Sequence, residues 1–247
     1  MTETLSPEVT PEIPEGAQWF TFLRCHDELS LELVYVSEED RKYIHDAYCK
    51  QPEWDFRKGQ GISARLSELM DRDPKKIALI YSIMLTLPGT PVIYYGDEFG
   101  KLNDENYYEE MIQVTGKDDT RFLVRGKIDW KELDARLEKK DSFETSVFSS
   151  LSRLLKTRKQ HKAFGRGDIK WLNATGQDGN KLESVLLFER NFIDEKILLI
   201  HNLSDSPREV AWSFGHGAQI TDLNGRELNI TGEVLNLGSY EFLWIKI

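Results

Sequence analysis

His26-Asp27-Glu28 sets an imidazole beside two carboxylates, and Asp97-Glu98 supplies a second acidic pair. Each group follows a short apolar run, Trp19-Phe20-Thr21-Phe22-Leu23-Arg24-Cys25 in the first case and Thr90-Pro91-Val92-Ile93-Tyr94-Tyr95-Gly96 in the second. Runs this short, rich in aromatic and β-branched residues, predict buried strands. In α/β barrels and open α/β sheets the working groups sit just past the C-terminal ends of such strands. A carboxylate placed there can stabilise a developing cation, hold a pair of sugar hydroxyls, bind a metal or exchange a proton. The same His-Asp pair could instead cap a strand and bond local backbone. For Asp97-Glu98 the structural reading leads, with one acid turned to a site and the other paired with a neighbouring Arg or a backbone N–H. Arg121 and Arg125 are the basic residues near the centre of the following loop. They could clamp a carboxylate or reach hydroxyls, although their spacing also suits a solvated loop. Tyr94, Tyr95, Tyr107, Tyr108 and Trp130 offer flat faces for a sugar ring or ordinary packing.

These residues need a scaffold, and the pattern between them supplies one. Ser37 is a good N-cap for a short helix with acids in its first turn, Glu38-Glu39-Asp40. Gly59-Gln60-Gly61 interrupts the chain, and Ile62 to Met70 predicts a second short helix. Asp73 as N-cap and Pro74 at the first helical position open a third, with Ile77, Ile80, Tyr81, Met84 and Leu85 on its buried face. Strand, helix and strand then make a βαβ unit, with the right-handed crossover such units take. Residues 97–142 are polar and weakly periodic, and predict a long functional loop or lid. Glu144 to His161 predicts an amphipathic helix with Val147, Leu151, Leu154 and Leu155 facing inward. The character changes near Phe164-Gly165-Arg166-Gly167. Beyond it come about seven short alternating or apolar runs, with turn signals at Asp178-Gly179 and Asn224-Gly225. That stretch reads as an antiparallel β-sandwich. The expected fold class is therefore α/β followed by all-β. The first 16 residues, rich in Pro and Glu, read as a disordered or extended lead-in.

Composition narrows the function. A chain 40% apolar and 30% charged has the balance of a globular protein rather than a disordered one. A net charge of −10 argues against nucleic acid and anionic membranes as partners. No apolar run reaches the roughly 20 residues that span a bilayer, and no signal segment opens the chain. Two cysteines, Cys25 and Cys49, do not make a disulfide framework, which fits a reducing compartment. The expected location is the cytoplasm.

With these residues in view, Phe22-Leu23-Arg24-Cys25-His26-Asp27-Glu28-Leu29-Ser30-Leu31-Glu32 resembles the segment at barrel strand seven of the α-amylase family, family 13 of the glycoside hydrolases. Its trehalose synthase-like branch is the most similar. Gly89 to Glu98 is similar to the family's strand-eight signature, and Val124-Arg125-Gly126-Lys127-Ile128-Asp129-Trp130 to its Arg-x-Pro-x-x-Trp-type loop. Lys162 to Gly167 resembles the exit from the last barrel helix, and the all-β stretch the family's C-terminal β-domain.

The resemblance implies a C-terminal fragment of a (β/α)8 TIM barrel over residues 17–163, followed by an antiparallel β-sandwich domain over 164–247. It implies that Asp27 is the third family carboxylate, holding sugar hydroxyls in the cleavage subsite and helping to distort the ring. His26 and Arg125 would contact the same sugar, and Glu28 a neighbouring subsite. The substrate would be an α-glucoside or malto-oligosaccharide, with no cofactor and no metal. Two departures stand out: Cys25 replaces the usual Asn, and Gly126-Lys127 the usual Thr-Pro. The nucleophilic Asp after strand four and the acid/base Glu after strand five have no counterpart here. Retaining chemistry needs two carboxyls about 5 Å apart, so the expectation is a chain without turnover on its own. Its alternatives are a non-catalytic sugar-binding or scaffold subunit, one half of a split enzyme completed by a partner chain or a homo-oligomer, and a degenerate remnant with a structural role only.

Overall fold

The structure, a computed structural model, describes residues 10, 14, 16–31, 37–213, 221–226 and 228–247. Most of the expected lead-in lies outside the described residues, as do Glu32, Tyr35 and Phe214. In chain order the elements are β1 (Phe20–Thr21), β2 (Leu29–Ser30), α1 (Glu38–Tyr48), β3 (Asp55–Phe56), β4 (Gly61–Ile62), α2 (Leu66–Leu69), α3 (Pro74–Thr86) and β5 (Thr90–Pro91). Then follow α4 (Glu105–Thr115), α5 (Trp130–Leu137), α6 (Phe143–Gln160) and α7 (Lys162–Arg166). Strands β6 (Asp168–Thr175), β7 (Lys181–Phe192), β8 (Glu195–Asn202), β9 (Arg208–Ala211), β10 (Ile230–Thr231), β11 (Val234–Leu237) and β12 (Phe242–Lys246) complete the chain. The chain forms two compact units, one of residues 1–21, 79–92 and 153–247 and the other of 22–78 and 93–152.

In the first unit, β1 and β5 pair in parallel, Phe20 opposite Thr90. Parallel strands need a crossover, and here the chain between them contains α3, as the βαβ reading requires. The strands are far shorter than their apolar runs, and Phe20 is 66% exposed rather than buried. The physical reason is the pairing: among the described residues this sheet has two strands, too few to cover either face. Gly89 at φ +119° lets the β5 strand start close under Trp19, whose carbonyl would lie 3.1 Å from an added Cβ.

The rest of this unit is antiparallel. A four-stranded sheet runs β12-β8-β7-β6, and a three-stranded one β10-β11-β9. Leu187, Leu198, Ile200 and Ile245 of the first join Val210, Leu235 and Leu237 of the second in one buried cluster. Strand β8 is buried on both faces, which explains its unbroken run Ile197-Leu198-Leu199-Ile200. On its other face His201 and Phe188 stack, ring centroids 5.7 Å apart, and Trp244 packs on Phe164 at 4.8 Å. Gly179 and Gly225, at φ +78° and +76°, occupy the turns that the Asp-Gly and Asn-Gly pairs predict.

The last carbonyls of a helix have no partner within it. At the end of α3, Arg158 supplies one, donating to the carbonyls of Leu85 and Gly89, and Arg190 donates to that of Thr86. Burial lowers the pKa of Arg158, but the carbonyls keep the guanidinium hydrogen-bonded. Arg158→Met should cost about 2 kcal/mol, the scale of charged hydrogen bonds lost at buried acceptors. Denaturant unfolding of the full chain checks this, and an unchanged midpoint would refute it.

In the second unit, β2-β4-β3 form a small antiparallel sheet with Leu29 and Asp55 both opposite Ile62. Leu31, Trp54, Ile62, Ala64, Leu69 and Leu123 make its core. Ser37 caps α1, its hydroxyl accepting from the Asp40 N–H at 3.0 Å, as the sequence predicts. Two expectations fail here. The helix predicted over Ile62 to Met70 shrinks to α2, because Gly61-Ile62 is taken by β4. The predicted loop over 97–142 contains α4 and α5, each capped by an aspartate, Asp104 and Asp129. Weak hydrophobic periodicity hid these helices, while the caps that start them were present in the sequence.

Candidate active site

Arg24 organises the turn that carries the acids. It is 3% exposed, and its Nη2 donates to the Asp27 carbonyl at 2.8 Å, which folds residues 24–27 back on themselves. Burial pushes its pKa down to about 10, and Asp97 opposes that shift. The Asp27 side chain is thereby presented on the open side of the turn, half-buried, next to the exposed ring of His26.

A second element meets it. The 3-10 turn Thr120–Val124 starts at Asp119, whose carboxylate accepts from the Arg121 N–H. Asp119 also holds the Arg121 guanidinium by two bonds of 2.8 Å, which keeps the Asp119 carboxyl below its usual range and raises Arg121. Arg121 Nη1 then lies 3.3 Å from Asp27 Oδ1, and Arg125 Nη2 donates to the same oxygen at 2.9 Å. Arg125 Nε donates to the His26 carbonyl at 2.9 Å. His26 Nε2 stands 3.1 Å from Asp27 Oδ2. A carboxylate oxygen has about two acceptor sites. Oδ1 is filled by the two guanidiniums, so Oδ2 is the oxygen with acceptor capacity to spare.

A buried layer fixes the arginine turn. Arg65 is fully buried and lies over the rings of Tyr94 and Tyr95, 4.4 and 4.7 Å from their centroids. Its Nη1 donates to the Tyr95 carbonyl at 2.6 Å and approaches Asp97 Oδ1 at 3.4 Å. The Tyr95 hydroxyl donates to the Gly126 carbonyl at 2.8 Å, and that of Tyr94 to Val124 at 3.4 Å. Burial raises the pKa of the Tyr94 hydroxyl. Gly126 packs against the Asp104 side chain with no room for a Cβ.

The structure thus brings Asp27, His26 and Arg125 together. Glu28 is different: its Cγ lies where a Cβ on Gly61 would stand, and its Oε2 is buried without a hydrogen-bond partner. Asp97 and Glu98 behave as the structural reading has it, Asp97 on Arg65 and Glu98 accepting from the Gly96 N–H at 2.6 Å. Arg121 is not a solvated loop residue, and no local pattern marks Arg24 and Arg65 as buried. The Asp119-Thr120-Arg121 spacing, a capping acid two residues before an Arg, was the available signal. Cys25 also belongs here, because the ligand atoms of Cys25, His26 and Asp27 lie within 4.8 Å of one another. A separate cavity of about 580 Å³, with Trp54, Glu68, Arg72 and Tyr108 among its lining residues, contains none of these residues.

No model of a known protein family matches the chain. Curated relatives do. The trehalose synthase of Pimelobacter sp. is 31% identical over 97% of this chain, and a trehalose synthase/amylase of Mycobacterium tuberculosis 30% over 96%. The chain spans 44% and 42% of their respective lengths. Among solved structures, AmyP in complex with maltose superposes with a TM-score of 0.56 at 18% identity, over 94% of this chain and 41% of that one. The α-amylase from H. orenii gives 0.55 at 18% identity, over 92% and 39%. At that identity the likeness is one of fold. With the sequence relatives, it establishes that this chain belongs to the α-amylase family, family 13 of the glycoside hydrolases. Within the family it is a trehalose synthase-like sequence. Among the described residues no helix is long and apolar enough to cross a membrane.

Proposed function

We propose that this chain holds the sugar ring of an α-glucoside, such as maltose, trehalose or a longer malto-oligosaccharide, for a retaining α-glucosidase- or α-glucosyltransferase-type enzyme. The observation that carries the reading is the Asp27 carboxylate, with Oδ1 fixed by Arg125 and Arg121 and Oδ2 open beside His26. A fixed anion of this kind binds a pair of hydroxyls and strengthens its hold as positive charge grows on the ring. In this reading Asp27 and His26 touch the sugar. Arg125 positions Asp27 and reaches a hydroxyl itself, and Arg121 is a positioning residue.

The barrel portion is residues 17–163 and the β-sandwich domain 164–247, and the compartment is the cytoplasm. Glu28 serves a neighbouring subsite only if its carboxyl turns away from Gly61. Asp27 is the one carboxylate of the described site on the open side, and double displacement needs two. The nucleophile and the acid/base therefore come from outside the residues assembled here, from further chain or a partner.

A product-resolved assay of the purified chain on maltose and trehalose tests this, with sugar binding followed by NMR. The expected result is no products and weak hexose binding that Asp27→Asn reduces at least about tenfold, the scale of one charged hydrogen bond. Turnover abolished by Asp27→Asn would show that a complete site exists within the chain. Binding indifferent to Asp27→Asn would overturn the assignment of the residue.

A further inference from the structure

We propose that the cavity of about 580 Å³ beside Trp54 is a second, non-catalytic binding site for a neutral sugar of mono- or disaccharide size. It lies wholly within the second unit, and none of Asp27, His26, Arg121 and Arg125 lines it. Its volume falls in the range of small-molecule pockets, about 300–1,000 Å³.

The hydrogen-bonding groups left over in its wall select the ligand. Both cations are already matched: Lys50 bonds Asp71, and Arg72 holds Glu68 by two bonds of 3.0 and 2.9 Å. Asp71 and Arg72 keep these partners from consecutive left-handed positions, φ +59° and +55°, which residues with a Cβ adopt only under constraint. Three acids remain, Glu53, Glu105 and Glu109, whose carboxylates make no hydrogen bond or ion pair among the described residues. Glu105 and Glu109 stand four residues apart on one face of α4, where like charges cost the helix stability. The wall also keeps one free donor. Trp54 is 8% exposed, yet its indole N–H has no partner among the described residues. That N–H is not among the sealed polar atoms either, so the accessible edge of the ring at the cavity includes it.

An occupant must therefore accept from an indole N–H and donate to carboxylates. A phosphate or carboxylate only accepts, and would meet three unmatched acids. An ammonium only donates. A divalent cation leaves the N–H unanswered, and among the described residues no three of these acids bring an oxygen within 4.8 Å of one another. A hydroxyl both donates and accepts. The apolar face of a sugar ring suits Tyr108 and Leu123, which also line the cavity.

Maltose titration of the full chain, followed at the indole N–H resonances by proton–nitrogen NMR, tests this. Trp54→Phe identifies the Trp54 signal by its loss, and sequential assignment does so if that variant fails to fold. The signal should shift and saturate in the wild type. It should do so equally in Asp27→Asn, which separates this site from the one at Asp27. Glu105→Ala combined with Glu109→Ala should weaken the effect of maltose at Trp54 at least about tenfold, the scale of lost charged hydrogen bonds. The melting temperature of that variant should hold or rise, because the like-charge pair is gone. No shift at Trp54, a shift lost with Asp27→Asn, or a response to maltose untouched by the double variant overturns the proposal. So does a shift produced by spermidine or inorganic phosphate and not by maltose. A Trp54 shift that persists where no binding is found at Asp27 supports this site and counts against the reading of Asp27 alone.

Discussion

Arg65→Met should destabilise the protein by about 3 kcal/mol, the scale of removing one partner of a buried ion pair. Arg65 is wholly enclosed, so water cannot replace it beside Asp97, which is itself 2% exposed. Met fills much of the volume between Tyr94 and Tyr95 and keeps apolar contact, which isolates the electrostatic loss from a cavity. The same change frees the Tyr95 carbonyl. It should therefore also loosen the Val124–Gly126 segment that the two tyrosine hydroxyls hold, and with it Arg125. Thermal melts should fall by about 10 °C, given about 2–4 °C per kcal/mol for a chain of this length. Adding Asp97→Asn to Arg65→Met should restore part of the loss, because a buried carboxylate that has lost the Arg65 guanidinium is then neutral. A double variant no better than the single one would show that the pair contributes through packing, and the ion-pair account would fall.

Acid should destabilise the protein through His201. The ring is fully buried, stacked near Phe188 and Phe242, with Ser82 Oγ 2.9 Å from Nε2. The Trp244 N–H donates to that same Ser82 oxygen at 2.7 Å. Burial pushes the imidazole pKa from 6.5 down to about 3. Between those two values the unfolded chain binds a proton that the folded chain refuses, so stability falls as pH drops below 6.5 and is regained as it rises. The slope is about 1.4 kcal/mol per pH unit from this one group, or about 2 kcal/mol between pH 6.5 and 5. Urea midpoints across that range measure it. His201→Phe keeps an aromatic ring in the stack and removes the titration, so its midpoint should depend on pH less by that amount. Equal pH slopes for variant and wild type would refute the assignment. His161, paired with Glu195 at 2.6 Å, is unchanged between the two proteins and so cancels in the comparison.

Local rules written into the chain determined much of the architecture. Ser37, Asp73-Pro74, Asp178-Gly179 and Asn224-Gly225 start and stop elements by satisfying or releasing particular backbone groups, and such effects need no distant partner. Alternation and apolar runs located the strands after residue 167 for the same reason. The His26-Asp27 motif and the Arg125 spacing were legible because the family resemblance preserves residue types in order. Tertiary structure alone decided the rest. Residue type did not reveal that Arg24 and Arg65 are buried, because a guanidinium is buried only where carbonyls, rings and a carboxylate converge from distant parts of the chain. That Arg121 and Arg125 both settle on Oδ1 of Asp27 depends on a contact across more than ninety residues. The exposure of Phe20 depends on how many strands lie beside it, and an apolar run cannot state its own neighbours. The closeness of Cys25 to its His and Asp was visible in sequence. That their side-chain polar atoms lie within 4.8 Å of one another was settled only by the fold of the turn.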